Sequence, residues 1–231
     1  MKIKLLGSLL LASCFVSPAS AQLLISGVYD GNSSVPKGIE VHVVTTQDYT
    51  GWEVEGQTNA ATTWSNIYEF SGTLDAGDYL YLTSTSTTLT TWGWGIGGAN
   101  EKGVIINDGS FVYNGDDRMR IVNASDEAVD LFGVDGQDGT GQDWEYTDSY
   151  AYRNNNISAT TTFDSSNWSF GAPHFLESVS EGQQDFLTNT FGSFTVPEPD
   201  TYALLAGISA LGSVMLRRRY AFRSKSPVIK P

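Results

Sequence analysis

Between residues 22 and 170 apolar and polar side chains alternate in short runs, the period of a strand with one face turned to a core. Residues 24–29, 39–44, 68–71, 79–83, 118–122 and 129–132 are the clearest runs. In Arg118-Met119-Arg120-Ile121 the alternation puts Met119 and Ile121 on one face and both arginines on the other. Threonine crowds residues 83–91, which suits pleated, half-exposed strands. Turns are marked by Asp30-Gly31-Asn32, Asn107-Asp108-Gly109 and Asn114-Gly115, the last expected to supply the positive backbone angles of a tight hairpin. No amphipathic helix and no solenoid-like repeat interrupts the pattern. It predicts an all-β domain, a sandwich or barrel, over residues 22–175. Beyond Gly171-Ala172-Pro173 the pattern thins. Residues 178–184 are polar and 185–196 alternate only weakly, so 176–196 is expected to be mainly a linker holding the domain off a membrane.

The two ends follow other rules. Residues 1–21 read as a secretory signal peptide, with Lys2 and Lys4 ahead of an apolar helix over 5–16 that is too short for an ordinary span. Ala19 and Ala21 are the small residues a signal peptidase reads, placing cleavage before Gln22. Leu11-Ala12-Ser13-Cys14 resembles a bacterial lipobox, which would instead make a lipidated Cys14 the first residue. At the other end, Pro197-Glu198-Pro199 precedes an uncharged stretch, 201–216, and then Arg217, Arg218 and Arg219. As a helix that stretch is about 24 Å long, short of a roughly 30 Å hydrocarbon core; snorkelling arginines and local thinning make up the difference. The arginines belong on the cytoplasmic side and the domain outside. This order resembles the PEP-CTERM sorting signal of Gram-negative bacteria. The resemblance implies recognition by an exosortase-like enzyme near Pro197-Glu198-Pro199, and a host that makes exopolysaccharide or biofilm. The basic tail at 220–231 is longer than that family usually carries.

Charge sharpens the division. The formal net charge of the whole chain is −13, but all 26 acids lie in 22–200 beside only Lys37, Lys102, Arg118, Arg120 and Arg153. The exported segment is thus at −21, and both ends are purely basic. Such a segment repels phosphate, which disfavours nucleic acid as a partner. With one cysteine, no Cys-x-x-Cys and two histidines, a structural zinc site is excluded.

The order of short motifs over 22–170 resembles the lamin-tail domain. Ile25-Ser26-Gly27-Val28-Tyr29-Asp30 is followed by Gly38-Ile39-Glu40-Val41, then by residues 70–80 with Leu74, Ala76 and Gly77. Asn114-Gly115-Asp116-Asp117 runs into Met119-Arg120-Ile121-Val122. Val129-Asp130-Leu131-Phe132-Gly133, the glycine-rich 136–141 ahead of Trp144, Tyr152-Arg153, Phe163 and Trp168 complete it. The resemblance implies an immunoglobulin-like β-sandwich with a binding or adaptor role. Val43-Val44 departs from it where relatives often carry an asparagine.

Physical chemistry assigns most of these residues to structure. Asp116 and Asp117 would accept backbone N–H bonds or pair with Arg118 or Arg153, and Trp144 and Trp168 would anchor the core. His42 and His174 have no partner suggesting a triad. Calcium is the sharper idea: Asp135, Asp138 and Asp143 flank glycines in one loop, although the spacing is not that of an EF-hand, and a solvated glycine-rich hairpin explains the same residues. Trp92 and Trp94 alternate onto one face and are candidate glycan-stacking residues, with core burial the competing assignment. The expected function is that of an exported, non-enzymatic protein of the cell surface or extracellular matrix, without a cofactor. The other class is a secreted or membrane-anchored hydrolase, or an accessory to one, using the acidic loop for calcium.

Overall fold

The computed structural model describes residues 22–31, 37–84, 103–107, 111–177 and 190–196. The expected signal helix and membrane helix, the basic tail, and Trp92 and Trp94 lie outside the described residues. Among the described residues no helix is long and apolar enough to cross a membrane.

Alternation produces strands where it was expected, and the chain is all-β. In order they are β1 (Leu23–Tyr29), β2 (Gly38–Val43), β3 (Gln47–Asp48), β4 (Glu53–Gln57), β5 (Ser65–Glu69), β6 (Thr73–Leu74), β7 (Tyr79–Thr83), β8 (Gly103–Asn107), β9 (Arg118–Val122), β10 (Ala128–Phe132), β11 (Tyr150–Arg153) and β12 (Trp168–Phe170). They form a six-stranded sheet, β12-β11-β1-β2-β7-β8, a four-stranded sheet, β10-β9-β4-β5, and the small pair β3-β6. Among the described strands every pairing is antiparallel except β7 with β8. Ile25, Val28, Ile39, Val41 and Leu82 of the larger sheet share one core with Val54, Ile67, Met119, Ile121 and Phe132 of the smaller. The two sheets thus stack as a β-sandwich. Trp144 and Trp168 are buried in this core, as expected of them.

Three local results differ from expectation. The run at 68–71 ends as a strand at Glu69, because Phe70 turns inward and its N–H bonds the Trp52 carbonyl at 2.8 Å. Asn114-Gly115 does not use positive φ. Gly115 is needed for close approach instead, since a Cβ there would meet the Thr147 backbone, and its N–H and C=O bond Asp30 and Tyr146. Of the expected linker 176–196, residues 178–189 lie outside the described residues, and the flanking residues differ from a free spacer. Leu176, Phe191 and Phe194 are buried against the sandwich, so residues 190–196 are a fastened strap and not a spacer.

One ion pair crosses between the sheets. Arg153 on β11 donates to Asp130 on β10 at 2.6 Å, and both are buried. Asp130 also accepts the N–H groups of Ile25 (2.7 Å) and Thr160 (2.9 Å). Arg153 donates further to the carbonyls of Ile25 (2.7 Å) and Ser158 (3.1 Å), and its guanidinium lies 4.6 Å from the Trp168 ring centre. Removing one partner leaves an uncompensated buried charge, which costs about 3–5 kcal/mol, whereas removing both is much milder. Arg153→Met and Asp130→Leu are each expected to lower unfolding stability by roughly that amount in urea titrations. The double variant is expected to be more stable than either single one.

Candidate functional site

A bulge in β1 creates the site. Ile25 pairs with Val41 and Gly27 with Glu40, leaving Ser26 as the extra residue. The inserted residue resets the alternation, so Ile25 and Val28 face the core while Leu24, Gly27 and Tyr29 face the other side of the sheet. That outer side is also covered. Leu24, Tyr29, Tyr79, Tyr81, Tyr150 and Tyr152 form a second cluster with Leu176, Phe191 and Phe194. Gly27 makes room for the strap, because a Cβ there would come within 2.5 Å of the Phe191 ring. The ring packs edge-on to Tyr29 and Tyr152, at centroid distances of 5.5 and 5.1 Å.

Polar bonds finish the seat. Glu40 on β2 points to this outer side and is fully buried. Its Oε2 accepts the Gly192 N–H at 2.6 Å, and its Oε1 accepts the hydroxyls of Ser26 at 2.5 Å and Tyr152 at 3.2 Å. Among the described residues no cation pairs with it, and burial pushes its carboxyl up to about 7, against the pull of these donors. The Tyr79 hydroxyl donates to the Phe194 carbonyl at 2.7 Å. His42, two residues along β2, sits 4.6 Å from the Tyr79 ring and 5.6 Å from Phe194. Burial lowers its imidazole to about 4, and its Nδ1 is buried without a hydrogen-bond partner, as suits the neutral ring. Past Phe194, Thr195 is held from both sides: its N–H donates to Asn155 Oδ1 and its carbonyl accepts the Asn156 N–H, each at 2.9 Å.

A shallow cleft of about 290 Å³ opens beside the strap, walled by Tyr150, Tyr152, Asn155, Ser169, Thr190 and Ser193 among others. It is at the small end for ligand pockets. Arg153, also on its wall, is fully engaged with Asp130 and the carbonyls named above.

The remaining expected site residues are used locally. Asp138 accepts the Thr140 N–H at 2.8 Å, which holds its carboxyl below the usual range, and Asp143 accepts the Ser165 hydroxyl at 2.5 Å. Asp135 is exposed, and its charge favours protonated Arg118. Among the described residues no three His, Cys, Asp or Glu side chains gather into a group able to hold a metal ion. Asp116 accepts from the Thr140 hydroxyl, and Asp117 accepts the N–H groups of Asn59 and Asn114. His174 is exposed beside Asp148 at 3.3 Å. Gln22 lies at the start of the fold: its carbonyl accepts from the Val44 N–H and the Tyr49 hydroxyl. Sequence reasoning saw Glu40 only as part of a strand motif and missed the strap. The available signal was an acidic residue amid apolar ones, together with two phenylalanines three apart.

Among known proteins, residues 195–219 match the family model of the PEP-CTERM protein-sorting motif. The match includes Pro197, Glu198, Pro199, Arg217, Arg218 and Arg219, and supports export through an exosortase-type sorting system at a Gram-negative cell envelope. No curated protein matches the chain. The motif therefore begins inside the strap, at Thr195.

The glycine seat gives a direct test. Gly27→Val is expected to push Phe191 out and to cost about 1–3 kcal/mol in urea titration, the usual penalty of overpacking. Phe191→Ala added to Gly27→Val should then cost little more, because both changes remove the same contact.

Proposed function

We propose that this is an exported, non-enzymatic surface or matrix protein whose lamin-tail-like, immunoglobulin-like sandwich serves as a binding or adaptor domain. The observation that carries the reading is that the sorting motif begins at Thr195, which is itself bonded to the loop after β11 of the all-β domain. The sorting partner is an exosortase-like enzyme, and the C-terminal helix is the membrane anchor until processing.

Two observations favour an adaptor over a hydrolase. Four buried ionisable side chains are engaged in holding loops and strands together: Asp130, Arg153, Asp117 and Arg118 each bond two or more groups there. Among the described residues the cleft beside the strap has no carboxylate on its wall, whereas glycoside hydrolysis requires two. A strongly acidic exported domain gains solubility and is repelled by anionic headgroups. An uncharged exopolysaccharide is therefore the matrix it fits, with Trp92 and Trp94 as stacking residues.

The sorting assignment is tested by replacing Pro197, Glu198 and Pro199 together with alanine. The chain is expected to accumulate at the inner membrane, with its sandwich folded, and to vanish from the surface fraction. Surface display equal to that of the native chain would overturn the assignment. Trp92→Ala with Trp94→Ala is expected to weaken retention on the host's polysaccharide about tenfold or more without lowering the melting temperature, since aromatic contacts contribute up to a few kcal/mol.

A further inference from the structure

Four backbone groups of the strap, just upstream of Pro197, are already bonded to the sandwich. An enzyme that reads an extended segment commonly pairs with its backbone N–H and C=O groups and pockets alternate side chains. Here the Gly192 N–H is taken by Glu40, the Phe194 carbonyl by Tyr79, and both backbone groups of Thr195 by the loop after β11. Phe191 and Phe194, the two aromatic side chains, are buried. Val196 is the one residue between this fastened stretch and Pro197.

We propose that residues 190–196 are a latch on the sorting signal, whose closed state withholds the chain upstream of Pro197 from the sorting enzyme and whose opening licenses engagement. The proposal rests on reading 195–219 as the sorting signal. The latch is built to open, because closing it buries Glu40 with no cation among its described neighbours. Facing Glu40 are Ser26 and Tyr29 on β1, Tyr79 and Tyr81 on β7, Tyr152 on β11, and the Gly192 N–H of the strap. The tyrosines are all raised above their usual value by burial and stay neutral. His42 is the other titratable group beneath the strap, facing Tyr79, Phe194 and the Asp78 backbone.

The two groups act with opposite sign. Lifting the strap returns both towards water. Glu40 is raised to about 7 when covered, against 4.5 ordinarily, so its support for closure is present below 4.5 and lost as pH rises through 7. His42 is lowered to about 4, against 6.5 ordinarily, so its support is present above 6.5 and lost as pH falls through 4. In the native chain the two nearly offset each other, and the hold on the strap is even between these limits. Removing either one uncovers the slope of the other.

The test is amide hydrogen exchange of 190–196 in the full chain in detergent, corrected for intrinsic rates, with β1 and β2 amides as the folding control. Protection in the native chain is expected to vary little from pH 4.5 to 7.5. In Glu40→Gln it should fall about tenfold or more towards pH 4.5, and in His42→Phe by a similar factor towards pH 7.5, since each pH unit between covered and uncovered values is a tenfold factor. If Glu40→Gln does not fold, His42→Phe carries the test alone. Flat profiles in the folded variants overturn the pairing. Phe191→Ala with Phe194→Ala, which leaves 195–219 untouched, is then followed in a host with the sorting system. Severalfold faster sorting is expected. Unchanged or slower sorting with deprotected strap amides overturns the latch, whereas normal sorting of the Pro197, Glu198, Pro199 triple-alanine chain overturns the sorting reading instead.

Discussion

The contact between Asp130 and Arg153 is the constraint on which the rest of the sandwich depends. Each side chain comes from a different sheet, and together they close on both backbone groups of Ile25 at the β1 bulge. A bulge leaves N–H and C=O groups without ladder partners, and burying them unpaired would be costly. The ion pair supplies those partners, so it stabilises the irregularity as much as the packing between sheets. Burial raises the Asp130 carboxyl, while Arg153 and the two N–H donors pull it back. The pair also fixes the loop after β11 through Ser158 and Thr160, and that loop receives Thr195 of the strap. Sheet stacking, bulge and strap are therefore linked through one buried guanidinium.

The sandwich was legible because alternation with period two is a strong signal where one face is buried. Residues 79–83 and 118–122 became β7 and β9 with the expected bounds, and Met119 and Ile121 entered the core as their spacing required. Arg118, on the opposite face, was less legible. It is buried, spanning to Gln57 and to the carbonyls of Asn59, Ala61 and Gln137, a role that depends on two loops distant in sequence. The strap was illegible for a different reason. Alternation reports on pairing within a sheet, and residues 190–196 join no sheet; they bind to side chains of four strands. Nothing near 190 in the sequence indicates that Gly27 lacks a side chain to make room there.

The outer face also explains why β1 and β2 are buried throughout their lengths. A six-stranded sheet packed on one side against four strands would leave its tyrosines to water, and the strap with the 172–177 turn covers them. The first two residues of the sorting motif, Thr195 and Val196, are thus packed with the domain's outer face and the loop after β11. The charge segregation seen along the chain fits this arrangement: the strap itself carries no charge, so it can lie on a strongly acidic domain without adding to the repulsion.

The strap has a mechanical consequence. Because β1 runs antiparallel to β11, Gln22 and Thr195 both lie at the end of the sandwich where β1 begins and β11 finishes. A pull transmitted through the C-terminal segment of an anchored chain enters at Thr195 and meets the strap before any ladder of strands. The contacts it meets are those of Thr195, Phe194, Gly192 and Phe191, in that order along the chain. Freed strap of seven residues adds about 20–25 Å of extended chain. The domain thus has a sacrificial first stage: the tether lengthens and absorbs load while the ion-paired sandwich behind it stays intact.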